Sequence, residues 1–251
     1  MKYLKRTKFK GEIVAEFLLP EKSTNKTIIF CSGMPGYPNK EKFLELCVFF
    51  ADRGYNCFVP RYRGSWESGG EMFKNPPELG VKDIIDELPR GFTDHWEGKK
   101  YKISKPEVYL VGGSFGGPAV LLNSKDKRVK KVIAFCPVLD WRAEEGSSEP
   151  IEKLAPFVKE AFGEGYRIAK NGWKKIQKGE IFNPATSLEK IDGKKCLIIQ
   201  TKDDDVISLV PLKDFIEKTE ASLIEVKTGG HLGIEILDKK FQKKSLEFLG
   251  S

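Results

Sequence analysis

The sequence predicts an α/β protein built on a mostly parallel, twisted β-sheet with helices on both faces. Two observations lead to this prediction. Short apolar segments rich in β-branched and aromatic residues recur along the 251 residues, and segments with helical spacing lie between several of them. Such alternation favours parallel strands joined by crossover helices. The length fits a single domain over residues 1–251, because open α/β proteins of this size commonly fold as one unit.

Seven segments are predicted to be strands, because each is short, apolar and rich in residues that suit a pleated backbone. They are Ile13–Leu19, Thr27–Cys31, Asn56–Val59, Glu107–Val111, Lys131–Cys136, Cys196–Gln200 and Leu223–Val226. In an open sheet of this kind, ligands bind at the carboxyl ends of the strands. The functional residues are therefore expected at those ends.

Helices are predicted where apolar residues recur at the spacing that buries one helix face. The first of these helices carries Phe43, Leu46, Cys47, Phe50 and Ala51, and the last carries Ile234, Leu237, Phe241, Phe248 and Leu249.

One stretch interrupts the alternation of strands and helices. From Trp141 to about Asn183 there is no convincing strand, but amphipathic patches occur around Ile151–Phe162 and Tyr166–Ile176. An insertion of this length predicts a small helical cap over about 141–183.

Charge and hydropathy argue against two classes of partner. The formal net charge is +7, but basic and acidic residues are scattered together along the chain, whereas nucleic-acid-binding proteins concentrate basic charge on one face. Every apolar stretch is shorter than the roughly 18 residues of a membrane-spanning helix, and the basic N-terminus precedes no apolar run of the signal-peptide kind. We expect a small-molecule substrate and neither nucleic acid nor membrane as a partner; homo-oligomerisation stays open.

The cysteines and histidines indicate the compartment and the absence of a metal. No Cys-x-x-Cys pair occurs, and most cysteines lie within apolar segments, which is typical of buried reduced thiols in a cytoplasmic protein. The five are Cys31, Cys47, Cys57, Cys136 and Cys196. Because neither of the two histidines lies near a cysteine or carboxylate at ligand spacing, we expect no metal ion and no cofactor.

The strongest local motif is Gly112-Gly113-Ser114-Phe115-Gly116, which follows a predicted strand and precedes an apolar helical segment. It contains the pattern Gly-x-Ser-x-Gly, in which a serine on a sharp strand-to-helix turn presents its hydroxyl at the edge of the sheet. A phosphate-binding loop is the alternative, but the required Gly-Lys-Ser or Gly-Lys-Thr ending is missing. The pattern predicts that Ser114 is a nucleophile.

A serine nucleophile needs a base, and histidine is suitable because it titrates near neutrality. His231 follows the last predicted strand, whereas His95 lies in a charged segment and is expected at the surface. An orienting acid is expected at a strand end between Ser114 and His231. Asp204 is the preferred residue, and its neighbours Asp203 and Asp205 remain alternatives.

These motifs resemble those of the α/β-hydrolase superfamily, in particular its prolyl-oligopeptidase-like and dienelactone-hydrolase-like branches. The resemblance rests on the elbow Gly112–Gly117, on Arg61–Ser65 after an early strand, on Asp204–Val206, and on Phe30–Gly36, which is similar to the oxyanion loop. It covers nearly the whole chain and implies the α/β-hydrolase fold, with a sheet of about eight strands and a small helical cap.

The resemblance also implies an oxyanion hole formed by the backbone amides of Phe115 and Met34. Two positions depart from the pattern: Ser32 stands where a histidine is usual, and Arg61 stands where an aspartate is common. The departure at Ser32 affects the assignment of the Met34 amide, because both residues lie in the same loop. The assignment of the Phe115 amide does not depend on that loop, because Phe115 directly follows the nucleophile.

The expected activity is hydrolysis of carboxylic esters or thioesters through an acyl-enzyme on Ser114. A small peptidase or amidase with the same residues is an alternative, as is a binding protein that retains the fold without catalysis. No β-propeller precedes the catalytic region in this sequence, which favours a stand-alone esterase over an oligopeptidase.

Three tryptophans, Trp66, Trp141 and Trp173, are candidates for lining an apolar acyl pocket. Packing of the cap onto the core is the other role open to them. Two roles are open to Arg61, Arg63 and Arg142: they bind an acidic group of the substrate, or they form ordinary ion pairs within the protein. Ion pairs are favoured.

Overall fold

An eight-stranded β-sheet forms the centre of the computed structural model, which describes residues 2–231, 236–237 and 239–250. Its strands are β1 (Lys5–Phe9), β2 (Ile13–Leu18), β3 (Lys26–Cys31), β4 (Asn56–Pro60), β7 (Glu107–Gly113), β8 (Val129–Phe135), β9 (Cys196–Thr201) and β10 (Ser222–Val226). They run across the sheet in the order β1-β2-β4-β3-β7-β8-β9-β10. The pairings β1–β2 and β2–β4 are antiparallel, and all the others are parallel. Every predicted strand is confirmed, and β1 is an additional one.

A separate two-stranded ribbon consists of β5 (Phe92–Thr93) and β6 (Lys100–Tyr101). It packs on the antiparallel edge of the main sheet through aromatic rings. The ring of Phe92 lies 5.3 Å from those of Phe17 and Phe58 and 5.7 Å from that of Phe9. Burial of each such ring contributes about 1.5–3 kcal/mol, so this cluster holds the first strands against the rest of the sheet.

Seven α-helices connect or cover the strands in the described part of the chain. They are α1 (Lys40–Ala51), α2 (Glu78–Glu87), α3 (Gly116–Leu121), α4 (Ile151–Phe162), α5 (Gly172–Gln177), α6 (Leu212–Thr219) and α7 (Lys239–Gly250). The predicted first and last helices correspond to α1 and α7, whereas Ile234 lies outside the described residues. Among the described residues, no helix combines the length and apolar character needed to cross a bilayer.

Three strands of the main sheet are buried along their whole length. Every residue of β2, β4 and β9 is buried. Because successive side chains of a strand point to opposite faces, continuous burial means that both faces of the sheet are covered. The prediction of a mostly parallel sheet with helices on both faces is confirmed.

The segment between β8 and β9 contains α4 and α5. The first amphipathic patch coincides with α4, but the second is helical only over Gly172–Gln177. The residues before α5 pair instead with the loop that follows β4. The Arg167 amide donates to the Gly64 carbonyl and the Met72 amide donates to the Arg167 carbonyl, each at 2.7 Å. This pairing occupies backbone groups that a helix would need, and it ties the insertion to the loop.

Candidate active site

Ser114 lies on the sharp turn between β7 and α3. Its backbone has φ +53°, a left-handed conformation that side-chain-bearing residues rarely adopt and that is common at functional sites. The Ser114 amide donates to the Phe135 carbonyl at 2.9 Å, and its own carbonyl accepts from the Gly117 amide at 2.9 Å. These bonds hold the strained residue at the carboxyl end of β7, next to the end of β8.

The glycines around Ser114 are required by close backbone contacts. A Cβ at Gly112 would lie 2.3 Å from the Gly116 carbonyl oxygen, and a Cβ at Gly116 would lie 2.0 Å from that of Cys31. Either distance is too short for any side chain. The Gly-x-Ser-x-Gly pattern therefore has a local physical reason: it lets the start of α3 lie close to β7 on one side and to the end of β3 on the other.

Asp204 and His231 form a buried hydrogen-bonded pair at the neighbouring strand ends. Asp204 follows β9 and His231 follows β10. Nδ1 of His231 lies 2.9 Å from Oδ2 and 3.1 Å from Oδ1 of Asp204. The two side chains are only 7% and 0% exposed, so water does not screen their interaction.

Further donors fix the Asp204 carboxylate. Oδ1 accepts from the amides of Val206 and Ile207 at 3.0 and 3.3 Å, and Oδ2 accepts from Gln200 Nε2 at 3.1 Å. Burial raises the pKa of the Asp204 carboxyl, but the hydrogen bond and charge of His231 and these amides outweigh burial and lower the pKa overall. Asp204 is therefore ionised at neutral pH and oriented toward the imidazole.

The other two acids of the run have different surroundings. Asp203 is exposed and accepts hydrogen bonds from the Gly229 and Gly230 amides at 3.1 and 2.9 Å. Asp205 is also exposed. Of the three adjacent acids, Asp204 is the one that contacts the His231 ring.

Ser114 is linked to this pair through the end of β8. Phe135 accepts the Ser114 amide bond, and the next residue, Cys136, places its sulfur within 4.8 Å of ligand atoms of both Asp204 and His231. Within residues 2–231, the Ser114 hydroxyl forms no hydrogen bond at 3.5 Å or less. The Ser114 turn and the Asp204–His231 pair thus both lie at the carboxyl ends of the strands β7 to β10, on either side of the end of β8.

The loop after β3 approaches Ser114 from the other side. A Cβ at Gly33 would lie 3.4 Å from Cβ and 3.9 Å from Oγ of Ser114. Met34 is buried directly after this contact, and Phe115 is buried directly after Ser114. Neither the Met34 nor the Phe115 amide donates a hydrogen bond to another residue within 2–231.

The thiol of Cys136 raises the question of a metal site with Asp204 and His231. Both Asp204 oxygens already accept the N–H bonds described above, and Nδ1 of His231 is one of the donors. Burial raises the pKa of the Cys136 thiol to about 12, which opposes formation of the thiolate that a metal requires. The three side chains fit a hydrogen-bonded network better than a metal site.

The three candidate pocket tryptophans line separate cavities. Trp66 lines a groove of about 460 Å³ together with Arg61, and Trp173 lines one of about 930 Å³ beneath α4. Trp141 is buried beside a cavity of about 40 Å³, and its indole N–H donates to the Phe182 carbonyl at 2.8 Å. The Trp141 ring lies 5.8 Å from that of Phe115, and Trp173 packs on Phe73, which contacts Phe115, whereas Trp66 packs against Tyr166.

The three arginines considered for substrate binding all form ion pairs within the chain. Arg61 is buried and binds the Glu16 carboxylate through two nitrogens, at 2.7 and 2.8 Å. Arg63 contacts Glu12 and Asp83, and Arg142 contacts Asp140.

Two predictions about the remaining polar residues can be compared with the structure. His95 is exposed, as expected, and its amide donates to the Arg6 carbonyl at 2.7 Å. All five cysteines are buried and free.

Sequence reasoning missed two residues that organise the site. Thr201 is buried, and its hydroxyl donates to the Gly230 carbonyl at 2.7 Å, immediately before His231. The Tyr166 hydroxyl accepts from the Gly36 amide at 2.9 Å and donates to the Gly36 carbonyl at 2.8 Å. Thr201 directly follows the predicted strand Cys196–Gln200, which is a usable signal, whereas no sequence pattern indicates the contact of Tyr166 with a residue 130 positions away.

The sequence matches a known protein family. A model of the prolyl oligopeptidase family matches residues 42–225, which is well over half of the chain. The matched region contains the elbow and the acid run and ends shortly before His231.

Individual proteins show more distant similarity. The polyketide transferase grgF from Penicillium sp is 25% identical over 150 residues, which cover 59% of this chain and 49% of that protein, so the chain spans about half the length of that relative. The Pyrococcus furiosus esterase Pf2001 has a TM-score of 0.68 at 15% identity, with 98% of this chain and 89% of that chain covered. The Pyrococcus horikoshii acylaminoacyl peptidase has a TM-score of 0.67 at 17% identity, with 99% of this chain but 41% of that chain covered.

At these identities the two solved structures show a shared fold, and they confirm the α/β-hydrolase fold implied by the sequence motifs. The sheet order, the elbow between β7 and α3 and the match over residues 42–225 agree with one another. The chain belongs to the prolyl oligopeptidase family.

Proposed function

We propose that the chain is a serine hydrolase that cleaves carboxylic esters or thioesters through an acyl-enzyme on Ser114. The observation that carries this proposal is the buried Asp204–His231 pair at the strand ends next to a strained serine turn. Such a pair is the base and orienting acid that a serine hydroxyl needs before it can attack a carbonyl.

In the proposed acylation step, the Ser114 oxygen attacks the carbonyl carbon while Nε2 of His231 takes the hydroxyl proton. The His231 ring then carries a positive charge, which the ionised Asp204 stabilises through Nδ1–H. The carbonyl oxygen becomes an oxyanion and accepts hydrogen bonds from the Phe115 and Met34 amides. The imidazolium returns its proton to the departing alcohol or thiol.

Deacylation repeats the same proton transfers with water. His231 takes a proton from the water that attacks the acyl carbon, and returns it to Ser114 as the acid product leaves. The missing hydrogen bond between Ser114 and His231 is compatible with this scheme, because catalytic hydrogen bonds are often long before substrate binds.

Esters are proposed ahead of peptides because their leaving groups need less assistance. A peptidase or amidase activity remains the second candidate, and the family membership supports it. We propose that the segment with α4 and α5 acts as a cap within a single domain, since its backbone pairs with the loop after β4. The free buried cysteines support a reducing compartment such as the cytoplasm.

The decisive experiment compares short-chain aryl esters, aryl thioesters and aminoacyl-arylamides on the wild type and on Ser114→Ala. We expect ester turnover by the wild type and a loss of about a thousandfold or more in the variant, because the three residues act as a unit. Ser104→Ala, at an exposed serine, is the matched control and should keep full activity. Near-normal ester hydrolysis by Ser114→Ala would refute the mechanism.

Covalent labelling separates catalysis from a binding function on the same fold. A serine-directed fluorophosphonate should label the wild type and Ser104→Ala, but neither Ser114→Ala nor His231→Ala. Faster turnover of arylamides than of esters would favour the peptidase. A wild type that neither reacts with the probe nor hydrolyses any substrate would favour a non-catalytic binding protein.

A further inference from the structure

The loop that carries His231 has little intrinsic rigidity. Its residues 227–229 are exposed. Gly229 and Gly230, the two residues before His231, have φ +152° and +57°. Glycines in such conformations lose more conformational freedom on ordering than other residues do. A precisely placed imidazole at the end of this loop therefore needs an external restraint.

Asp203 supplies two contacts to this loop. Its Oδ2 accepts from the Gly229 amide at 3.1 Å, and its Oδ1 accepts from the Gly230 amide at 2.9 Å. Each carboxylate oxygen thus serves one of two successive amides. Those amide bonds lower the pKa of the Asp203 carboxyl, so the contact is present in the ionised form at neutral pH.

The strand end that carries Asp203 also contacts Gly230 of the loop and the last residue of β10 before it. The buried Thr201 hydroxyl donates to the Gly230 carbonyl at 2.7 Å, and the Lys202 amide donates to the Val226 carbonyl at 2.8 Å. Gly230 therefore has both of its backbone groups bonded to side chains of residues 201 and 203. The peptide units on both sides of Gly230, including the one that links it to His231, are therefore each held by a hydrogen bond.

We propose that Asp203 is a positioning residue for His231, which acts by clamping the Gly229 and Gly230 amides so that the imidazole stays on Asp204 and faces Ser114. The assignment rests on the proposed function. The two neighbouring acids thus have different roles. Asp204 binds the ring of His231, and Asp203 holds the backbone of the loop that carries it.

The chemistry of the clamp requires a carboxylate. A carboxylate offers an acceptor to each amide, and charged hydrogen bonds are stronger than neutral ones. Asparagine at position 203 would keep one acceptor but turn an NH₂ donor toward the second N–H, and alanine would remove both bonds. A displaced catalytic group loses rate steeply, since about 1 Å of misplacement costs on the order of a hundredfold.

The test compares Asp203→Asn and Asp203→Ala with Asp205→Asn. Asp205 is a matched control, because it is an exposed carboxylate in the same run and its substitution removes the same charge. We expect kcat for an aryl ester to fall about 10- to 100-fold in the Asp203 variants, with KM unchanged and alanine no better than asparagine. Asp205→Asn should stay within about twofold of wild type. Equal kcat in Asp203→Asn and Asp205→Asn would overturn the proposal.

A second readout does not depend on catalysis. Hydrogen exchange of the Gly229 and Gly230 amides should be at least about tenfold faster in Asp203→Asn than in wild type or Asp205→Asn, because a hydrogen bond protects each amide. Unchanged exchange would refute the clamp even if Ser114 proves to be the nucleophile. If the wild type hydrolyses no ester, the proposed function fails while faster exchange in Asp203→Asn still supports the clamp.

Discussion

At the scale of single residues, three consecutive aspartates show how environment sets the function of identical side chains. Asp204 is buried and contacts an imidazole, Asp203 is exposed and binds two amides, and Asp205 is exposed. Neighbouring residues point in different directions, so one chain step separates a carboxylate that contacts the His231 ring from one that binds the backbone of the loop before it. The pKa of both Asp203 and Asp204 is lowered, the first by amides and the second by His231 against burial.

Asp140 provides a prediction about stability and pH. Burial raises the pKa of its carboxyl, but hydrogen bonds from Arg142 and Asn183 outweigh burial and lower the pKa below its usual range. A lowered pKa gives stability that is fully present above the unfolded-state value of about 3.9 and is lost as pH falls through the folded-state value. We expect Asp140→Asn to reduce the free energy of unfolding by about 1–3 kcal/mol at pH 7, and by much less near pH 2.

Urea unfolding between pH 2 and pH 7 measures this difference. Asp214→Asn is the control, because Asp214 pairs with Lys218 on an exposed helix face, and it should change the free energy of unfolding by less than about 0.5 kcal/mol. A difference for Asp140→Asn that is constant down to pH 2 would contradict the ionic origin of the stabilisation.

At the residue level, the sequence predicts candidates where local pattern and chain order carry the information, and Ser114 and His231 are candidates because each follows a predicted strand. The clamp by Asp203 was not predictable, because it depends on how the end of β9 lies beside the loop after β10. An exposed acid next to another acid has no local signal for such a contact.

At the scale of secondary structure elements, the β7–α3 turn depends on two glycines. A Cβ at Gly112 would lie 2.3 Å from the Gly116 carbonyl oxygen, so Gly112→Ala forces strand and helix apart. We expect this variant to lose about 3 kcal/mol or more of stability and most of its activity. Gly80→Ala within α2 is the control, since its Cβ would lie 3.6 Å from Ile13, and it should be neutral or stabilising.

Thermal unfolding and ester turnover of both glycine variants test this prediction. A Gly112→Ala variant with wild-type melting temperature and activity would show that the turn can relax around the methyl group. A strong loss of stability in Gly80→Ala as well would mean that any added methyl group is poorly tolerated, and the argument from the turn would fail.

The strands were predicted well because parallel strands buried on both faces are continuous apolar runs. The missed strand β1 shows the limit of this signal. It reads Lys-Arg-Thr-Lys-Phe and lies at the edge of the sheet, where Lys5 pairs with Asp94 and Arg6 with Glu16. A segment this rich in charge resembles a loop in sequence, but it can form an edge strand. Its basic side chains pair with acidic residues there, and their charge opposes pairing of the strand with other chains.

At the scale of the whole molecule, the site is assembled from the carboxyl ends of β3, β7, β8, β9 and β10, as expected for an open parallel sheet. The sequence predicted this location but not the connection across the site. The loop after β4 and the insertion meet at the loop after β3, where Trp66 Nε1 donates to the Gly36 carbonyl at 3.0 Å and Tyr166 binds the same residue. Contacts between segments so distant in sequence leave no periodic pattern.

Tyr166 connects the insertion to the loop that carries the Met34 amide, and its removal tests that connection. Tyr166→Phe loses the two hydrogen bonds to Gly36 at 2.9 and 2.8 Å while the ring keeps its packing against Trp66. We expect kcat for an aryl ester to fall about three- to tenfold with KM unchanged, because a loosened loop places the oxyanion donor less accurately. Tyr37→Phe, at a tyrosine that is 71% exposed, should behave as wild type. Equal kcat in the two variants would show that the insertion does not hold the oxyanion loop.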